Sequence, residues 1–312
     1  MPVVRECLEF IFANLERIFM IYRAPVSLLS VVVVTGLLTA TSVAQGPPDI
    51  NRWSSSTANA PAQGYGMGNP LLLTWGFLRN GTTTNGGGAS NLISSFDATF
   101  GAGPGGADLT QRPWFTSFQQ SFTRWSQVSG LSYLYEANDD GVNQTGGNIG
   151  INGTRADLRI GGRNIDGPGG TLAFNNFPTN GDMVIDTGDM GNYGQAANNF
   201  RFLRNVIMHE HGHGMGCPHC ESNSTGFLME PFIQTGFDGP QYHDILLAQR
   251  GYGDVLEKTN ANLGNDTAAR ATALGLINNG GMVSIGNDAR NLAVGANEVD
   301  FVSIDDQSDT DF

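Results

Sequence analysis

The sequence predicts a mixed α/β (α+β) domain over roughly residues 64–255. Strands and helices alternate in its first half, and helical patterns dominate the second, which is the order expected of a mixed layer fold. The chain of 312 residues is also long enough for one large domain. "PLLLTWGFL" at 70–78 reads as the first strand. Residues 113–129, "PWFTSFQQSFTRWSQVS", read as a helix: Pro113 suits a first turn, and Phe115, Phe118, Phe122, Trp125 and Val128 recur at three- and four-residue spacing. That aromatic stripe is core. "LSYLYEA" at 131–137 and "ADLRIGG" at 156–162 read as strands parted by a polar, glycine-rich loop. Residues 199–213 form a second helix, with Phe200, Leu203, Val206 and Ile207 on its buried side, and "QYHDILLAQRGYG" at 241–253 forms a third that stops at glycine.

The flanks differ from this domain. "VSLLSVVVVTGLL" at 26–38 is short for a membrane span, with a single membrane anchor as the alternative reading. It follows Arg23, and is followed by small residues at Ser42 and Ala44. This is the layout of a secretory signal peptide over 1–44, cleaved after Ala44, with Met20 as the expected true start. No stable membrane insertion is expected once it is removed. Residues 45–63, rich in Ser, Asn, Gly and Pro, read as a linker. The formal net charge of -13 disfavours a nucleic-acid partner and suits an exported protein that binds hard cations through carboxylates. Once the leader is cleaved, Cys217 and Cys220 remain; they either close a small bridge or stay as two thiols beside a metal.

"HEHGHGMGCPHC" at 209–220 holds four of the five histidines. His209 and His213 are four apart and share a helix face, and Glu210 lies beside them. Gly214 and Gly216 break the helix, and Gly216 permits the turn that brings His219 round as a third ligand. Three protein ligands leave one position of a tetrahedral zinc open, the arrangement of a catalytic site. A bare H-E-x-x-H arises by chance; the extended H-E-x-x-H-x-x-G-x-x-H is far more demanding, and it is complete here. His211 faces away from the pair. The competing assignment is a structural zinc that recruits Cys217 and Cys220.

The extended motif resembles that of the metzincin metalloproteases, and "GFLMEPF" at 226–232 resembles their methionine turn, with Met229 beneath the zinc. "DGPGGTLAF" at 166–174 and "VIDTGD" at 184–189 are similar to the calcium loop and edge strand of the matrixins, the matrix-metalloprotease-like group. The first and last helices resemble theirs too, so the likeness spans most of residues 70–254. It implies a twisted mixed sheet with an antiparallel edge strand, three helices and one catalytic zinc in a cleft. It implies a zinc-activated water with Glu210 as general base, and hydrolysis of protein or peptide substrates by a secreted monomer. Asp166, Asp186 and Asp189 would bind Ca2+ through carboxylates, and Gly167, Gly169 and Thr171 through carbonyls. Leu172 and Ala173 would pair with an extended substrate, and Pro231, Phe232 and Ile233 would wall the pocket after the cleaved bond.

Two positions matching histidines of the family's second, structural zinc are Phe174 and Val184, so that ion is not expected. The family's cysteine-bearing propeptide motif is absent from this sequence. The tail, 256–312, is similar to the opening of a bacterial pre-peptidase C-terminal domain, a β-rich module that stops just after the start of a strand left without its partner. The alternative to an endopeptidase is a non-catalytic, calcium-stabilised surface or adhesion protein on the same scaffold. Glu210 discriminates against it, since a binding module has no use for that carboxylate.

Overall fold

The computed structural model describes residues 50–58, 65–145, 149–221, 226–265, 267–277 and 302–306. The expected leader at 1–44, with its start at Met20, lies outside the described residues.

Strand β1 (Leu71–Phe77) is buried at every position but one, because it lies inside the sheet with both faces covered. It pairs in parallel with β2 (Leu131–Tyr135), Leu71 opposite Leu131, and with β3 (Leu158–Arg163), Trp75 opposite Leu158. β3 pairs in parallel with β5 (Met183–Asp186), and β4 (Ala173–Asn175) closes the sheet antiparallel to β5. The order is β2-β1-β3-β5-β4, a mixed sheet with one antiparallel edge strand. Phe174 and Val184 stand directly opposite each other in the β4–β5 ladder.

The three expected helices are α2 (Phe115–Val128), α3 (Arg201–Gly214) and α4 (Tyr242–Tyr252). The aromatic stripe of α2 is buried as its spacing requires. Phe122 stacks on Trp75 of β1 with ring centroids 4.7 Å apart, and Phe118 meets Phe77 edge-on at 4.9 Å. α4 opens with a reciprocal cap between Gln241 and Asp244 and ends at Gly253, whose φ of 71° few side chains would accept. A further helix, α1 (Leu92–Phe100), buries Leu92 and Phe96, and single-turn helices add to these. No helix among the described residues is long and apolar enough to cross a membrane.

Two expectations are corrected. Within the segment read as a linker over 45–63, Ile50 and Trp53 belong to the core of the domain, and Trp53 is fully buried. The surrounding polar residues hide this in the sequence. In the tail, the strand at Val302–Asp306 (β7) is not left without a partner: it pairs in parallel with β6 (Thr272–Ile277).

Candidate metal centre and cleft

The last two turns of α3 carry His209 and His213, whose ring centroids lie 4.9 Å apart. At Gly216 φ is +108°, and the Asn51 backbone occupies the space a Cβ would need, so glycine is required twice over. The chain reverses there and returns His219 to within 5.3 Å of the His209 ring and 4.6 Å of the His213 ring. One ligand atom from each of the three lies within 4.8 Å of the others.

The imidazoles are prepared for a cation. Nδ1 of His209 donates to the Leu228 carbonyl at 2.7 Å, and Nδ1 of His213 to the Cys217 carbonyl at 2.8 Å. A carbonyl oxygen only accepts, so the proton sits on Nδ1 and Nε2 keeps its lone pair. Burial pushes both rings down to about 4, and lowers His219 as well. All three are therefore neutral at neutral pH, the form a metal takes. This donor set fits zinc. His211 points elsewhere, sharing a 2.6 Å hydrogen bond with the Tyr133 hydroxyl. Cys217 and Cys220 are free thiols outside the ligand group, and burial raises both above the usual thiol range.

Glu210 is only 8% exposed and lines the same cleft as the three histidines. Burial pushes its carboxyl up to about 8. Below the helix, Met229 is fully buried. Its turn is held by Asp244, whose carboxylate accepts the amides of Leu228 at 2.8 Å and Met229 at 3.1 Å. The same Leu228 offers its carbonyl to His209, so Asp244 orients that imidazole through one peptide unit. Asp244 carries no signal in the sequence beyond its place in the first turn of a helix.

The cleft holds about 670 Å³. Leu172, Ala173 and Phe174, Pro231, Phe232 and Ile233, and Val206 with the three histidines all line it. Phe232 is 80% exposed. Sequence reasoning missed Tyr193, which is buried and donates its hydroxyl to the Leu172 carbonyl at 2.6 Å, anchoring the entry to β4.

The three aspartates expected to bind calcium lie in one pair of loops but act here as amide acceptors. Asp186 accepts from Ile165 at 3.0 Å, Asp166 at 3.1 Å and Gly188 at 2.7 Å. Asp189 accepts from Gly169 at 2.9 Å, and Asp166 from Thr171 at 3.0 Å. Gly167 packs against Gly188. The second Asp189 oxygen is buried with no hydrogen-bond partner.

A family model described as Matrixin matches residues 97–252, half of the chain. The chain is also 31% identical over 144 residues to a protein named "Hatching enzyme" from Paracentrotus lividus, across 44% of this chain and 22% of that protein. The chain thus spans less than a quarter of that relative's length.

Proposed function

The chain belongs to the matrixin family, and on that premise we propose that it is a secreted zinc-dependent endopeptidase acting on protein or peptide substrates. The observation that carries this is the convergence of three neutral imidazoles, two of them oriented by backbone carbonyls, beside a buried glutamate in one cleft. A zinc ion held by His209, His213 and His219 would supply Lewis acidity and lower the pKa of water at the site.

The protein's own groups do the rest. Glu210 accepts a proton from the attacking water at its carboxylate and returns it to the leaving amine. Burial raises its affinity for a proton in the metal-free site, and the charge of a zinc ion beside it would favour the ionised carboxylate that the first step needs. The exposed edge of β4 holds an extended substrate by backbone hydrogen bonds around Leu172 and Ala173. Pro231, Phe232 and Ile233 receive the side chain after the scissile bond and keep water from it. Asp166, Asp186 and Asp189, with Gly167, Gly169 and Thr171, take a calcium ion that braces the loop before β4. The buried, unpartnered oxygen of Asp189 supports this assignment. A rise in melting temperature on adding calcium, absent in Asp189→Ala, is its check.

The test of the main reading is cleavage of an unfolded protein by the full chain, with and without a zinc chelator, beside Glu210→Gln. Chelator-sensitive cleavage that Glu210→Gln lacks is expected. A folded chain that carries one zinc and cleaves nothing would sink it.

A further inference from the structure

The last carbonyls of a helix have no partner within it. At Gly214, the last residue of α3, and through Met215, Gly216 and Cys217 in the turn that follows, each of four successive carbonyls has one. Gly214 accepts from Trp53 Nε1 at 2.7 Å, and Met215 from the Tyr252 hydroxyl at 2.7 Å. Gly216 accepts from the Asn51 amide at 3.3 Å, and Cys217 from His213 Nδ1 at 2.8 Å. The first three donors come from outside the turn, two of them from residues 51–53 and one from the end of α4. These donors are also tied together: the Trp53 amide donates to the Tyr252 hydroxyl at 3.2 Å. Trp53 and Tyr252 are both fully buried.

This turn is the only covalent route from His213 to His219, and its Cys217 carbonyl sets the tautomer of His213. Four bound carbonyls in succession hold the turn in place. Without its outside donors, it would need water, or a different path, to satisfy them, and two of the three imidazoles would move with it. We propose that Trp53 and Tyr252 are positioning residues for the metal centre: a strap at residues 50–53 and the last residue of α4 together fix the turn that carries His219. This rests on the reading of His209, His213 and His219 as zinc ligands. The functional unit therefore begins at or before residue 50, and the indole N–H of Trp53 acts on the metal from a site that touches no imidazole.

The test is zinc affinity of the full chain, measured by competition with a chromogenic chelator at a temperature where circular dichroism shows every variant folded. Trp53→Phe and Tyr252→Phe each remove one donor and keep a ring in place. Trp114→Phe is the control: that indole is 1% exposed and donates at 2.8 Å to Asp97, away from the turn. Groups that orient metal ligands change affinity by about 10–100-fold, so both test variants should bind zinc at least about tenfold more weakly. Trp114→Phe should lower the melting temperature while binding within about twofold of the wild type. If Trp53→Phe does not fold, Tyr252→Phe decides alone. Folded test variants that bind zinc as the wild type does overturn the inference and leave the metal centre standing. A wild type that binds no zinc overturns the metal centre itself, and this inference with it.

Discussion

Met229 packs its sulfur against the bare backbone of Gly212, in the space a Cβ at that position would fill. Gly212 lies between His209 and His213 on the buried length of α3, and Met229 is fully buried against it. Gly212→Ala should therefore act as an overpacking change, worth about 1–3 kcal/mol, even though alanine is the better helix former. Denaturant unfolding of the chelated protein measures it. A variant as stable as the wild type, or more stable, would show that the methionine turn has room to retreat.

Asp244 should prove as sensitive, for a different reason. Its carboxylate accepts three backbone amides, those of Leu228, Met229 and Gln241. Asp244→Asn turns an acceptor into a donor facing N–H groups, leaving buried amides without a partner at about 1–3 kcal/mol each. Because Leu228 also holds His209, zinc affinity should fall together with stability. Loss of stability with zinc affinity intact would separate the turn from the ligand.

The pH dependence of the metal-free protein follows from burial. His209, His211 and His213 are pushed down from 6.5 to about 4, 3 and 4, so the unfolded chain binds more protons and stability is lost as pH falls below 6.5. Glu210 is pushed up from 4.5 to about 8, so there the folded chain binds the extra proton and stability is lost as pH rises through that window. Between about 7 and 8 the histidines are nearly silent and Glu210 supplies the main decline, up to about −1.4 kcal/mol per pH unit, while Asp182, which burial pushes up to about 7, adds to the decline below that window and Lys258, lowered to about 8, acts above it. Urea unfolding in chelator should show a steeper decline between about pH 7 and 8 in the wild type than in Glu210→Gln. Parallel profiles would mean Glu210 is better solvated than its burial implies.

Much of this was legible in the sequence because it is local. His209, Glu210 and His213 share a helix, Gly216 carries a conformation only glycine adopts easily, and the stripe from Phe115 to Val128 repeats at helical spacing. What was not legible is non-local. Trp53 binds a carbonyl 161 residues away from inside a stretch whose composition is that of a linker. Tyr193 reaches Leu172 across 21 residues. Asp166, Asp186 and Asp189 are legible as a carboxylate cluster, but their hydrogen bonds to backbone amides are not, because an Asp/Gly pattern does not say which amides fold back onto which oxygens. Helix α1 escaped notice because Leu92 and Phe96 alone make its buried face.

Tyr193→Phe tests whether the edge strand must be anchored to hold substrate. The ring stays, and only the 2.6 Å bond to the Leu172 carbonyl is lost. The cost to stability should be about 1 kcal/mol. If β4 aligns the substrate, KM for an extended peptide should rise more than kcat falls, since the imidazoles and Glu210 are untouched. An unchanged KM would mean that Ala173 and Phe174 keep the strand in place unaided.

Phe232 makes the cleanest separation of binding from folding. At 80% exposed it contributes little to the core, so Phe232→Ala should change stability by no more than about 0.5 kcal/mol. It nevertheless stands on the cleft wall beside Pro231 and Ile233, where an apolar substrate side chain would cover it. Covering an aromatic ring and an apolar side chain against each other is worth about 1–3 kcal/mol, a 10–200-fold effect on kcat/KM. The loss should be large for peptides with a large apolar residue after the scissile bond and negligible for those with glycine there. Equal loss for both would place Phe232 outside the pocket, as a surface residue that merely borders it.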